Sequence, residues 1–167
     1  EQGFTVTLLR PQKDGIVSAA QVAAALTDET CLVSVMYANN ETGAIQPIKE
    51  IGALCRQRGV LFHTDAVQAA GHVDIDVQRD NIDMLSLSAH KFHGPKGVGL
   101  LFAKSSIQLT SLIRGGGQER GKRAGTENLP GIIGLAAAFK DAQEQLAANT
   151  AYITNLRDAL RAGLEQI

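Results

Sequence analysis

Net charge, cysteine and long apolar runs are all scarce in this 167-residue chain. Sixteen Lys and Arg against seventeen Asp and Glu leave a formal charge of −1. That balance gives no electrostatic ground for wholesale binding to nucleic acid or to an anionic membrane. The apolar runs fall far short of the roughly 20 residues that a membrane-spanning helix needs, and no basic-then-apolar leader opens the chain. Cys31 and Cys55 are the only cysteines. They lie too far apart for a CxxC pair and make no disulfide framework, so a reducing cytoplasmic setting is the simplest expectation. Asn40-Glu41-Thr42 fits a glycosylation sequon, which without a secretory signal reads as coincidence. No methionine stands at Glu1, and Ile167 falls inside a helical pattern. The expectation is a piece of a longer protein.

What is present suits one globular domain with a substantial core: 44% of the residues are apolar, too many for a disordered chain. Residues 3–10 (GFTVTLLR) alternate and predict a strand. Ser18 and Gln21 form a capping-box pair ahead of a short helix ending near Leu26. Residues 31–37 (CLVSVMY) are continuously apolar, as in a strand covered on both faces. Pro47 opens a helix with Ile48, Ile51, Leu54 and Cys55 on one side, and Gly59 stops it. Further strands are predicted at 60–66, 82–89 and 98–103. Two helices follow from Pro130, with a break near Asn149. Strands alternating with helices predict an α/β layered domain with a mostly parallel sheet. Both cysteines, at a strand start and on a helix core face, read as buried small hydrophobes.

In open α/β sheets ligands bind beyond the carboxyl ends of the strands, and polar residues gather at those ends here. Residues 31–37 run into Asn39, Asn40 and Glu41. Residues 60–64 run into Asp65 and Gln68, and 82–87 into Ser88, His90, Lys91 and His93. A loop dense in glycine and arginine, 114–128, precedes the first long helix. Taken singly these residues have plain readings: a solvated lysine, a turn-forming aspartate, Ser88 and Thr126 bonding their own backbone. Together they suggest more. An amine at the mouth of an apolar pocket loses solvation and can condense with an aldehyde, and Gly94-Pro95 would fix where Lys91 points. A lysine Schiff base with an aspartate facing a pyridinium nitrogen is the pair expected of pyridoxal 5'-phosphate. Gln68 and Asn40 could bond the ring oxygen, and Ser88, His90 and Thr126 the phosphate. His90 and His93 with His63 or Asp65 could instead ligate a metal, but they fall in a turn and nothing completes a four-ligand set.

The stretches SVMYANNETGAIQPI, FHTDAVQAAG, SLSAHKFHGPKGVGLLF and RGGGQERGKRAGTENLPGIIG closely resemble the cysteine desulfurases. These are pyridoxal-phosphate enzymes of the class V aminotransferase group, in the branch named for nitrogen fixation and iron–sulfur assembly. The resemblance implies the aspartate-aminotransferase-like (fold type I) large domain, truncated at both ends. Residues 1–147 would be its central part, and 148–167 the start of a helix toward a small domain. It implies Lys91 and His90 as catalytic residues. Asn40, Asp65, Gln68, Ser88, His90, Lys91 and Thr126 would be cofactor contacts, with Thr126 reaching the neighbouring subunit's phosphate in a homodimer. The implied chemistry takes sulfur from L-cysteine, leaving L-alanine and an enzyme persulfide. That sulfur would pass to an iron–sulfur scaffold, another acceptor protein or tRNA thiolation, without direct nucleic-acid or membrane contact. The family's ring-stacking histidine and backbone phosphate loop would precede Glu1. Its persulfide cysteine and carboxylate-gripping arginine would follow Ile167. A selenocysteine lyase, a small-molecule aminotransferase and a non-catalytic scaffold are the competing readings. A scaffold would need none of Lys91, Asp65 and Gln68.

Overall fold

The structure is a computed structural model and describes residues 3–167. The chain falls into two compact units. The first comprises residues up to Ala69 with Ile75–Leu87 and Leu100–Glu127; the second comprises Ala70–Asp74, Ser88–Gly99 and Asn128–Ile167.

The first unit is built on a four-stranded sheet, β1 (Leu32–Met36), β2 (Leu61–Asp65), β3 (Met84–Ser88) and β4 (Gly99–Ala103), in that spatial order. β1 pairs parallel with β2 from Leu32↔Leu61 to Met36↔Asp65, and β2 with β3 from His63↔Met84 to Asp65↔Ser86. β4 returns antiparallel, because Lys104 N–H bonds Asp83 C=O while Ala89 N–H bonds Val98 C=O. The sheet is therefore mostly parallel, as the alternation of elements predicts.

Local chemistry explains the helices. α1 (Ala19–Ala25) carries the full capping box: Ser18 accepts Gln21 N–H, and Gln21 Oε1 accepts Ser18 N–H. α2 (Ile48–Arg58) starts after Pro47 and ends where Gly59 takes the left-handed conformation that a Cβ disfavours. α2 packs on β2, and α1 on α2. Ile48, Ile51 and Cys55 of α2 are buried, as are Phe62, Thr64, Leu85 and Leu87 on the core face of the strands. Gly52 has no room for a side chain, since a Cβ there would run into the Asp80 carbonyl. The turn it touches is tied by Asp76, whose carboxylate accepts the N–H groups of Gln78 and Arg79, and by the Arg79–Asp80 ion pair at 2.9 Å.

The second unit holds a 3₁₀ turn (Ala89–Phe92), α3 (Leu129–Glu144) and α4 (Leu146–Leu164). Asn128 caps α3 by accepting Gly131 N–H. α3 presents Leu135 and Phe139 inward, and Phe92 stands edge-on to Phe139 with ring centroids 5.4 Å apart.

Four expectations fail. Residues 3–10 form no strand: Phe4, Val6 and Leu8 are 73–86% exposed, and alternation makes a strand only where a partner supplies the backbone bonds. β1 is not covered on both faces. It lies at the edge of this sheet, with Leu32 and Ser34 exposed. Cys31, next to that edge, is exposed for the same reason, whereas Cys55 is buried as expected. The break between the long helices falls at Gln145, not near Asn149. The apolar residues of α4 (Ile153, Leu156, Leu160, Leu164) are 54–65% exposed, and Leu146 is the first residue of that helix.

Candidate cofactor site

In the first unit the register Met36↔Asp65 brings the carboxyl ends of β1 and β2 to one edge. There Tyr37 N–H bonds the Asp65 carbonyl at 2.7 Å. The loop after β1 is organised by Asn39. Its Oδ1 accepts the N–H groups of Glu41 and Thr42, both at 2.9 Å, and the Thr42 hydroxyl. An antiparallel Ala38↔Ile45 bridge closes the loop. Asn40 is thereby displayed, its amide donating to Glu41 at 3.1 Å. Asp65 ends β2, with Oδ1 accepting Val67 N–H at 3.0 Å and the other oxygen open. Gln68 follows in the turn, half-buried.

Thr126 sits exposed in the glycine-rich loop of the same unit. That loop is held by hydrogen bonds within itself, among them Gly121 N–H to the Gln118 carbonyl, Ala124 N–H to the Ile113 carbonyl and Gly125 N–H to Gln118 Oε1. Glu119 and Arg120 take φ of 48° and 58° in succession, a conformation costly for residues with a Cβ.

In the second unit Ser88 and His90 are bonded to each other, Oγ to Nδ1 at 2.9 Å. Lys91 lies on the 3₁₀ turn between buried Ala89 and Phe92. His93 then turns left-handed at φ 66°, and Gly94 N–H returns to the Ala89 carbonyl. A Cβ on Gly94 would stand 2.8 Å from the Ala89 Cβ. His72 Nε2 donates to the Lys91 carbonyl at 3.0 Å, which fixes where that ring carries its proton. Lys91 itself is half-buried, and no carboxylate pairs with it among the described residues.

The surroundings of Cys55 do not suit a sulfur carrier. Burial, and then the charge of Asp83, pushes the Cys55 thiol up to about 11, so it stays protonated and unreactive. No three His, Cys, Asp or Glu side chains gather as a metal site among the described residues. A cleft of about 530 Å3 opens at the other end of the strands beside Arg56, Gln78, Asp83 and Lys104. It holds none of the expected site residues. Its charges are already spent, since Lys104 pairs with Asp83 at 2.6 Å and Arg56 bonds Asn81.

Sequence reasoning passed over two groups. One is His72. The other is Ser34 and Ser86, which bond the two ring nitrogens of His63 at 2.8 and 2.9 Å. The period-2 placement of Ser34, His63, Asp65 and Ser86 on one face was the available signal.

Comparison with known proteins gives the family. The aminotransferase class-V family model matches residues 1–167. Cysteine desulfurase IscS of Clostridium botulinum (strain Hall) is 56% identical over 165 residues, covering 99% of this chain and 42% of that protein. Cysteine desulfurase IscS of Methanosarcina thermophila is 51% identical over 166 residues, covering 99% and 41%. Among solved structures, a NifS-like protein superposes with a TM-score of 0.94 at 40% identity, over 99% of this chain and 46% of that one. SspA in complex with cysteine gives 0.80 at 47% identity, over 83% and 40%. The chain thus spans about two-fifths of the length of these curated relatives. It belongs to the aminotransferase class-V family, with the fold type I architecture of its structural neighbours.

Proposed function

We propose that the protein containing this chain is a pyridoxal-phosphate-dependent cysteine desulfurase. It would convert L-cysteine to L-alanine and an enzyme persulfide, and pass the sulfur to an iron–sulfur scaffold or another acceptor. Family membership and the desulfurase relatives support this reading, and the solved neighbour in complex with cysteine supports the substrate. The observation that carries it is the chemistry of the donor set. A lysine amine without a carboxylate partner sits on a fixed turn. A hydroxyl–imidazole pair stands one residue before it, and an aspartate at a strand end keeps one oxygen open. Those are the groups that an aldehyde, a phosphate and a pyridine nitrogen require, so the residues fit the cofactor.

Pyridoxal phosphate, when bound, supplies an electron sink for the bond broken at the substrate carbon. The chain's residues do the rest. Lys91 Nζ would be the amine that holds the cofactor, and as an amine it would be the chain's group to carry a proton there. Asp65 keeps the ring nitrogen protonated through its charge. Gln68 and Asn40 orient the ring oxygen; Ser88 and His90 bind the phosphate, and His90 stands beside the reacting lysine. Thr126 is offered to the phosphate of a second subunit in a homodimer. Residues 1–147 are assigned to the cofactor-binding domain, and 148–167 lead from it. No helix among the described residues is long and apolar enough to cross a membrane; we place the protein in the cytoplasm.

The test is to incubate the full-length, cofactor-loaded protein with L-cysteine and a thiol reductant, measuring alanine and sulfide together. Equal amounts of both are expected. Alanine formed only from selenocysteine would assign the lyase instead, and a keto acid in place of alanine an aminotransferase.

A further inference from the structure

His63 stands at the centre of a polar bridge that no cofactor contact explains. Its Nδ1 meets Ser34 Oγ on β1 at 2.8 Å, and its Nε2 meets Ser86 Oγ on β3 at 2.9 Å. The ring therefore ties three adjacent strands, one of them the edge strand. It also shares a face with Asp65, two residues on along β2. A neutral imidazole suits two hydroxyls, donating at one nitrogen and accepting at the other. An imidazolium would donate at both nitrogens, so the hydroxyl that donated would have to turn its proton away and accept instead. The other side chains facing His63 from its own and flanking strands are Leu61, Asp65, Leu32, Met36 and Met84, of which only Asp65 is charged.

We propose that His63 is a positioning residue for Asp65: as a neutral ring bridging Ser34 and Ser86 it fixes the end of β2, and it leaves the Asp65 carboxylate uncompensated for the cofactor's ring nitrogen. Protonation reverses the direction of one serine bond and, above all, puts a positive charge close to the carboxylate, where it competes with the ring nitrogen for that negative charge. Burial holds the His63 pKa below its ordinary value of 6.5, against the pull of Asp65, which acts to raise it. The neutral form is therefore present at neutral pH and lost as the pH falls through that lowered value. This inference rests on the reading of Asp65 as the partner of the ring nitrogen.

The experiment has one arm without cofactor and one with it. In the full-length apoprotein, carbon-13-labelled histidine is followed by NMR against pH, with His63→Gln identifying the resonance. The His63 midpoint should lie below 6.5. It should move further down in Asp65→Asn, where the raising charge is gone. An unmoved midpoint in Asp65→Asn would overturn the coupling, and that arm keeps His63 in place should His63→Gln fold poorly. In the loaded protein, cofactor affinity measured by visible absorbance should fall on the acid side with the NMR midpoint, and that inflection should vanish in His63→Gln. An inflection that survives overturns the proposal. If instead Asp65→Asn binds cofactor and turns over cysteine at the wild-type level, the role of Asp65 fails, whatever His63 does.

Discussion

The turn that carries Lys91 and the loop that carries Thr126 are both glycine-bearing and both follow a strand, yet they are held in opposite ways. The lysine turn is wedged between side chains. Ala89 and Phe92 are buried, Phe139 stands against Phe92, and Gly71 and Gly94 leave no space for a Cβ beside Phe92 and Ala89. The glycine-rich loop is mostly exposed, is held by hydrogen bonds of its own backbone and side chains rather than by packing, and keeps two successive non-glycine residues left-handed. A side chain that must meet a reacting atom needs a seat that packing has already fixed. A side chain offered to another subunit can leave its final placement to that contact, and strain can persist in it meanwhile.

Breaking the packed seat should have the largest effect. Phe92→Ala removes a ring that is 1% exposed and should cost about 3–5 kcal/mol of stability in urea denaturation of the full-length protein. Gly94→Ala should cost about 1–3 kcal/mol through overpacking against Ala89, and it should loosen cofactor retention as the turn opens. If both variants keep wild-type stability, the turn is not held by packing and the contrast with the loop is lost.

The loop should respond with the opposite sign. Arg120→Gly removes the penalty at φ 58° and should stabilise by about 1 kcal/mol if the conformation is kept. A destabilisation of that size would mean that the guanidinium makes contacts which outweigh the strain.

The smallest effect is expected from acid. Burial would raise the Asp80 carboxyl, but the Arg79 guanidinium and the Asp76 N–H hold it below the ordinary 3.8. Asp76 is lowered by the N–H groups of Arg79 and Gln78. Depressed carboxylates contribute stability that is full above their unfolded pKa and lost as the pH falls through the folded one. Stability should therefore decline below about pH 4. Asp80→Asn should flatten that decline, whereas a variant of exposed Glu119 in the loop should not.

The difference between the two regions also decides what was legible in the sequence. Features made by neighbours along the chain were readable: the Ser18–Gln21 box, the Pro47 and Gly59 boundaries of α2, and the apolar runs that became β2, β3 and β4. Polar residues at the ends of β1, β2 and β3 were readable too, because topology alone sends them to strand ends. Features needing a partner far along the chain were not. Residues 3–10 alternate like a strand but find none to pair with among the described residues. Cys31 lies beside an edge that local sequence cannot reveal. The break at Gln145 carries no glycine or proline to mark it. Ser34 and Ser86 gain meaning only from a register that places both on His63, and His72 only from the carbonyl it meets across the lysine turn.

The central claim is that Lys91 is the amine that holds the cofactor. Borohydride reduction of the full-length loaded protein, followed by proteolysis and mass spectrometry, addresses it most directly. The account predicts one pyridoxyl-modified peptide, carrying the group on Lys91 and absent from Lys91→Ala, while that variant keeps its fold by circular dichroism because the half-exposed side chain contributes little packing. A pyridoxyl-lysine trapped at the wild-type level in Lys91→Ala, or found on Lys96 or Lys104 in the wild type, would contradict it.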